Sequence, residues 1–230
     1  MGKALLSVFV AAVTIVAWAS SNSASAAIVT VTYQGIVSYG IDETGVFGAA
    51  NTVLSGNDFT VIYTVNDATP GATFSFNPPF SSRAFGAVSA VVTINHHSLF
   101  IAGDFSSEAS QDRQVGFGSD DVFHSVQDLS GFLVNNEVNG VSPFLTSFDY
   151  HTSLFYQVQP GDFAVGFVGN AIDADTAFAN LLSTSVTISP VPELGAWAMM
   201  IIGFGGVALQ LRHRRSGIAV AVSIETPSAS

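Results

Sequence analysis

The sequence contains no cysteine and very little positive charge. Its 230 residues include six lysine or arginine residues against 17 aspartate or glutamate residues, and the formal net charge is −11 at pH 7. The absence of cysteine excludes disulfide bonds and every reaction that needs a thiolate. A domain of this length can bury a core without covalent cross-links, so we expect packing and hydrogen bonds to hold the fold.

Positive charge is almost absent from the central part of the chain, residues 27–190. This segment has 15 of the 17 acidic residues, no lysine, and only Arg83 and Arg113 of the six basic residues, so its formal charge is −13. Such a surface repels nucleic acid and anionic lipid. It suits Ca²⁺, a cationic partner or a neutral sugar, although acidity that merely keeps an exported domain soluble explains the same composition.

The first 26 residues have the composition of a signal peptide. Lys3 is the only early charge, and the largely apolar segment Ala4–Trp18 follows it. Ala24 and Ala26 form a small-x-small cleavage site, which predicts that the mature chain begins at Ala27. We therefore expect passage through the Sec translocon and cleavage by signal peptidase. The alternative is an uncleaved N-terminal anchor.

A second long apolar run lies near the C-terminus. Leu194–Leu211 has no charged residue and as a helix would reach roughly 27 Å, close to the bilayer hydrocarbon thickness of about 30 Å. The basic residues Arg212, Arg214 and Arg215 follow, and such clusters stay cytoplasmic. The sequence therefore predicts a single transmembrane helix over residues 194–211, with the preceding chain outside the cytoplasm.

A four-part motif includes this apolar run. It comprises an extended Pro-Glu signal, a Trp-Ala-Met-Met stretch, a Gly-Phe-Gly stretch and the basic cluster, at Val191, Pro192, Glu193, Trp197, Ala198, Met199, Met200, Gly203, Phe204, Gly205, Arg212, Arg214 and Arg215. In order and spacing, residues 191–215 resemble the PEP-CTERM sorting domain in its PEPxxWAMM subtype. An ordinary tail anchor would explain the apolar run and the arginines, but not the Pro-Glu and Trp-Ala-Met-Met elements.

The resemblance implies a route for the protein. The PEP-CTERM domain occurs in Gram-negative bacteria that make exopolysaccharide, and it is recognised by exosortase, a membrane-embedded transpeptidase-like enzyme. We therefore expect transient residence in the inner membrane, processing near Pro192-Glu193, and delivery to the cell surface or extracellular matrix, with exopolysaccharide as a candidate partner. The chain departs from the family pattern at Leu194, where the family has a second proline, and in its C-terminal extension, residues 216–230.

Residues 27–190 are predicted to be β-structure. Val29, Val31 and Tyr33 share one face of the first strand, and turns follow at close intervals without a sustained helical period. This pattern predicts an all-β fold, an antiparallel β-sandwich with a jelly-roll-like arrangement. Strands are expected at Ile28–Tyr39, Phe59–Val65, Ala87–Ile94, Ser98–Ala102, Gln114–Phe117, Val122–Val126, Phe132–Val134, Phe144–Tyr150, Ser153–Gln157, Phe163–Val168 and Ser183–Ile188. Asp104–Asp112 is expected to be irregular.

The glycine-rich loop at Gly40–Gly48 is the best candidate for an ion site. Asp42, Glu43 and Thr44 place oxygen atoms close together, and Gly45 permits a positive φ. Ca²⁺ binds several oxygen ligands from a tight loop, so these three residues are candidate Ca²⁺ ligands. EF-hand spacing is absent, and a solvated turn is the alternative. The acidic pairs Asp120/Asp121 and Asp173/Asp175 are more readily explained as solvated turns.

The sequence shows no recognisable catalytic motif. His96, His97, His124 and His151 lack zinc-ligand spacing, and neither a G-x-S-x-G elbow nor a phosphate-cradling glycine loop is present. A pair of carboxylates for glycoside hydrolysis cannot be singled out among 15 acids. Apart from the candidate Ca²⁺ loop, we therefore predict no metal or cofactor and no enzymatic activity, and expect a matrix or adhesion component. A carbohydrate-binding, lectin-like domain or a sugar-active enzyme is the alternative.

Overall fold

The computed structural model describes residues 28–77, 80–114, 118–170 and 176–191, and these ranges contain strands but no helix. The strands are β1 (Ile28–Asp42), β2 (Thr52–Val53), β3 (Asp58–Asn66), β4 (Thr73–Asn77), β5 (Ser81–Phe85), β6 (Val88–Ile94), β7 (His97–Ile101), β8 (Ser106–Gln114), β9 (Ser119–Gln127), β10 (Phe132–Gly140), β11 (Leu154–Gln157), β12 (Phe163–Asn170) and β13 (Ala177–Val191). Within these ranges, no segment forms a helix long and apolar enough to cross a membrane.

Several predicted features lie outside the described residues. They are the signal peptide with its cleavage site, residues 115–117, the pair Asp173 and Asp175, and everything after Val191, including the sorting motif, the transmembrane helix and the extension. Val191, the first residue of the predicted sorting motif, is described and is the last residue of β13.

The strands form one curled antiparallel sheet. Its order is β4-β5-β8-β9-β10-β12-β13-β1-β3-β6-β7, with β11 added beside β13 and β2 beside β1. Every described strand pair is antiparallel. Two meanders, β1-β3-β6-β7 and β8-β9-β10-β12-β13, are thus joined where β1 pairs with β13.

The two longest strands, β1 and β13, form the centre of this sheet. They pair from Ile28 opposite Val191 through to the far end of both strands, and two bulges bend the ladder. Gly35 lies at the first bulge, where a Cβ atom would collide with the backbone carbonyl oxygen of Leu182. Glycine is needed there because a side chain would push the two strands apart.

Curling of the sheet brings its two halves face to face around one apolar core. Alternate residues of the long strands point inward and are buried, as Val29 and Tyr33 are in β1. Tyrosine hydroxyl groups form hydrogen bonds across the core: the Tyr33 hydroxyl donates to the Val122 carbonyl oxygen at 3.1 Å and bonds to His124 Nδ1 at 2.9 Å, and the Tyr63 hydroxyl donates to Asn136 Oδ1 at 2.9 Å. These bonds link β1 and β3 to β9 and β10 and fix how the halves face each other.

The predicted all-β, antiparallel and sandwich-like architecture is confirmed. The strands expected at Ala87–Ile94 and Ser98–Ala102 are present as β6 and β7, which pair as a hairpin around Asn95 and His96. Asn95 and His96 have φ values of 50° and 64°. Positive φ at both central residues is what a two-residue type I′ hairpin requires.

Two local predictions are wrong. Asp104–Asp112, expected to be irregular, lies mostly in β8, because its polar residues are paired on both sides, with β5 and β9. Phe144–Tyr150, expected to be a strand, forms bends and turns. The reason is Asp120, whose carboxylate accepts hydrogen bonds from the backbone N–H groups at 144 and 145 and holds this segment outside any ladder. The short strands β4 and β5 were not expected.

Candidate functional site

An open pocket lies at one edge of the sheet, between β4, β5 and the segment 148–151. Its volume is about 310 Å³, at the lower end of the range of about 300–1,000 Å³ found for small-molecule sites. Aromatic residues form its wall, titratable side chains form its rim, and buried hydroxyl groups form its floor. The wall residues Phe74 and Phe76 and the floor residue Ser82 come from segments that sequence reasoning did not single out.

The wall of the pocket is aromatic. Phe74 and Phe76 lie two residues apart on β4 and therefore share one face of the strand. They are 46% and 61% exposed, because β4 is an edge strand among the described strands and pairs only with β5. Phe148 contributes from the opposite segment, where the Arg113 guanidinium lies 5.1 Å from the centre of its ring. The wall offers flat apolar surface to a ligand.

The rim of the pocket carries a histidine held between two carboxylates. His151 Nδ1 lies 2.7 Å from Asp149 Oδ1, and its Nε2 lies 3.1 Å from Asp67 Oδ2. Hydrogen bonds from the backbone N–H and then from the ring of His151 lower the pKa of Asp149. The contact to Asp67 ties the segment 148–151 to the turn after β3. Both ring nitrogens of His151 are thus engaged by carboxylates.

The floor of the pocket contains two buried hydroxyl groups. Ser82 and Tyr150 are only 4% and 7% exposed, and neither hydroxyl oxygen has a hydrogen-bond partner among the described residues. Gln111 lies directly opposite Ser82 in the pairing of β5 with β8, and its Nε2 atom likewise has no partner there. Polar groups buried in this way are uncommon, because most find a partner within the protein or in ordered water.

Both basic residues of the described ranges are already paired. Arg83, which lines the pocket, lies 2.8 Å from Asp112, and hydrogen bonding to this carboxylate raises the pKa of Arg83. Arg113 binds Asp120 through two nitrogens at 2.7 and 3.0 Å. Asp120 is thus fully buried in β9 as a structural anchor rather than lying in a solvated turn.

Two further titratable groups lie on opposite faces of β9. Burial, followed by repulsion from Glu137 and Asp112, raises the pKa of Asp121 to about 7. On the inner face, burial lowers the pKa of His124 to about 3. The His124 ring lies in the core, with its centre 5.0 Å from that of Tyr63. His124 is therefore a neutral core residue and not a metal ligand on the surface.

In the loop expected to bind Ca²⁺, the Asp42 carboxylate is used to hold the loop backbone. Asp42 is fully buried, and its carboxylate accepts three backbone hydrogen bonds at 2.6–2.8 Å, from Gly45, Val46 and Phe47. The backbone N–H groups of Glu43 and Thr44 and the Thr44 hydroxyl all donate to the same backbone carbonyl oxygen, that of residue 176. In the described ranges, no group of three His, Asp or Glu side chains is arranged to hold a metal ion.

Sequence reasoning missed the pocket because its aromatic wall comes from a strand that was not expected. The available signal was TFSFN at Thr73–Asn77, where two phenylalanines alternate with small polar residues. Alternation of this kind favours a strand with one apolar face. Nothing in the sequence indicated that Ser82 and Tyr150 would line the same pocket, since they are 68 positions apart.

Comparisons with models of protein families, with curated proteins and with solved structures found no match for this chain.

Replacing Asp42 by alanine should destabilise the domain strongly, because three backbone N–H groups would lose a charged acceptor. We expect a loss of about 3–5 kcal/mol in the free energy of unfolding, measured by denaturant titration. Glu43→Ala is the matched control, since Glu43 is exposed, and it should change stability by about 0.5 kcal/mol or less. Equal effects of the two substitutions would contradict this role for Asp42. A wild-type melting temperature raised by millimolar Ca²⁺ would restore the ion-site hypothesis.

His124 and Asp121 should give the protein opposing responses to acid. The unfolded chain protonates a histidine below about pH 6.5, whereas folded His124 stays neutral to about pH 3. Acidification from pH 6.5 therefore removes stability, by up to about 1.4 kcal/mol per pH unit. Folded Asp121 takes up its proton near pH 7 and an unfolded aspartate near pH 4, so acidification across this interval adds stability.

Denaturant unfolding between pH 7.5 and 4.5 separates these contributions. Relative to wild type, His124→Gln should become steadily more stable as the pH falls. Asp121→Asn should be more stable than wild type at pH 7.5 and should lose that advantage toward pH 4.5. A stability difference from wild type that does not change with pH, in either variant, would be evidence against the corresponding assignment.

Proposed function

We propose that this protein is a non-enzymatic exported component of the cell surface or exopolysaccharide matrix, and that its edge pocket contacts neutral sugar units. The observation that carries the sugar contact is the pair of exposed phenylalanines, Phe74 and Phe76, on one wall of a pocket rimmed by carboxylates. The sorting part of the proposal is supported by the PEP-CTERM-like motif that begins at Val191.

The chemistry of the pocket fits a sugar ring better than a charged ligand. The C–H faces of a sugar are apolar and fit flat against an aromatic ring, while its hydroxyl groups need hydrogen-bond acceptors and donors at the edges. The wall at Phe74 and Phe76 offers the flat apolar surface, and the carboxylates of Asp67 and Asp149 at the rim offer acceptors for the hydroxyl groups. Ligand sites commonly combine a mainly apolar lining with a few placed polar groups.

The proposed export route fits the arrangement of the chain. β13 runs to Val191, so the predicted signal at Pro192-Glu193 follows the last described strand directly, with no linker between them. On this route the Sec translocon and signal peptidase act at the N-terminus, and exosortase acts on the inner-membrane intermediate. A jelly-roll-like grouping of the strands within the all-β domain stays a prediction.

Phe76→Ala should weaken binding to a neutral polysaccharide by about tenfold, the effect of losing roughly 1.4 kcal/mol of aromatic contact. The matched control is Phe100→Ala, because Phe100 is 62% exposed on the edge strand β7 and does not line the pocket. Binding of the full chain, in a detergent without a sugar headgroup, would be measured on an array of neutral glucans, mannans and galactans.

Equal loss of binding in both phenylalanine variants, or no binding to any polysaccharide, would contradict the proposed sugar contact. Release of sugar fragments during the same incubation would instead indicate a sugar-active enzyme. Saturable binding without release would support the non-enzymatic proposal.

Replacing Pro192 and Glu193 by alanine should block processing. Intact mass of wild-type protein from culture medium should show a form that begins near Ala27 and ends near Pro192-Glu193, whereas the double variant should stay full-length in the membrane fraction. Pro190→Ala is the matched control, since Pro190 also follows an extended residue but belongs to β13. A wild-type protein recovered only as the full-length membrane form would contradict the sorting proposal.

A further inference from the structure

The floor of the pocket has more hydrogen-bonding capacity than the fold uses. Ser82 and Tyr150 both line the pocket, and their hydroxyl oxygens have no partner among the described residues. The Nε2 atom of Gln111, the residue paired with Ser82 across β5 and β8, has none there either. Two of these groups thus line one pocket, and the third belongs to the residue paired with Ser82 on the neighbouring strand.

The fold itself does not require these polar atoms. Alanine at Ser82 and phenylalanine at Tyr150 would keep the shape of the site and remove only the buried hydroxyl groups. Exchanging a buried polar group for an apolar one of the same shape is often neutral or stabilising when the group has no partner. Their presence therefore points to a partner that is not part of the described chain.

The kind of partner follows from the donors and acceptors present. The Ser82 and Tyr150 hydroxyl groups can each donate and accept a hydrogen bond, and the Gln111 Nε2 atom can only donate. A ligand hydroxyl group also donates and accepts, so it can satisfy such a set in either direction. Both oxygens lie just under the pocket surface, so contact requires a rotation of Ser82 or a small shift of segment 148–151.

The electrostatic environment of the floor disfavours an anion. Burial raises the pKa of Tyr150 well above 10, and the nearby charges of Asp112 and then Glu108 raise it further, which reports a negative potential at this hydroxyl. The two basic side chains that line the pocket, Arg83 and His151, are already paired with carboxylates. A carboxylated ligand would therefore bring a second negative charge into a site with no free cation to receive it.

We propose that Ser82, Tyr150 and Gln111 form a specificity floor that selects an uncharged, hydroxyl-bearing sugar ring over its carboxylated counterpart. This inference rests on the proposed sugar contact at the aromatic wall. The wall supplies affinity for any sugar ring of suitable shape, and the floor distinguishes a neutral hexose from the corresponding uronic acid.

The test compares neutral oligomers of glucose, mannose and galactose with the same oligomers oxidised to uronates at C6. The full chain, in a detergent without a sugar headgroup, is titrated with each member of each pair. The floor variants are Tyr150→Phe and Ser82→Ala, and the wall variant is Phe76→Ala. Tyr156→Phe is the matched control, because the Tyr156 hydroxyl donates to Asp162 outside the pocket.

Wild-type protein should bind at least one neutral oligomer about tenfold more tightly than its uronate. Each floor variant should weaken that binding by about fivefold to tenfold, the effect of one hydrogen bond, while the melting temperature stays the same or rises. Tyr156→Phe should lower the melting temperature and leave binding unchanged. A loss of binding without a loss of stability distinguishes ligand contact from a structural role.

The outcomes separate failure of this inference from failure of the proposed function. If Phe76→Ala loses binding but both floor variants bind as wild type does, or if uronates bind as tightly as neutral oligomers, the specificity floor is wrong and the sugar contact stands. If wild-type protein binds no member of either series, the sugar contact fails and the floor inference fails with it.

Discussion

Pairing between the first and last strands is the constraint on which the rest of the domain depends. β1 and β13 are each 15 residues long and pair along their whole length, so they join two meanders into one sheet. Without this seam, each meander would expose an open edge and an uncovered apolar face. The bulges in the seam bend the sheet, and the bend brings Tyr33 and Tyr63 within hydrogen-bonding distance of β9 and β10. The fold is thus a product of long-range pairing rather than of local structure.

The sequence predicted the strands in which branched apolar residues alternate regularly with polar ones. β1, β3 and β6 alternate branched apolar residues with polar ones, and each was expected within a few residues of its true bounds. β8 was missed because SSEASQDRQ has little intrinsic preference for a strand, and only its two neighbours make it one. Phe144–Tyr150 has strand-like composition, yet its first two backbone N–H groups donate hydrogen bonds to the Asp120 carboxylate instead of to a neighbouring strand. In both segments a tertiary contact overrides the local signal.

The pocket was less predictable than the fold, for a related physical reason. Its wall, rim and floor come from β4, β5, the turn after β3 and the segment 148–151, which no sequence spacing brings together. The charge of single residues was also a poor guide to whether they are exposed. Asp42 and Asp120 both appeared to be surface acids, yet each is buried and accepts several backbone hydrogen bonds. Part of the acidic composition is therefore structural, and the remainder sets the negative potential around the pocket.

The position of the chain ends has a mechanical consequence. Ile28 and Val191 are direct neighbours in the ladder, so both ends of the described chain leave the sheet at one corner. A pull on the C-terminal side of Val191 would load the seam at its last pair and open it one residue pair at a time. Peeling breaks hydrogen bonds in succession, whereas sliding two strands past each other breaks many at once. Under tension the domain should therefore yield first at the seam that organises it.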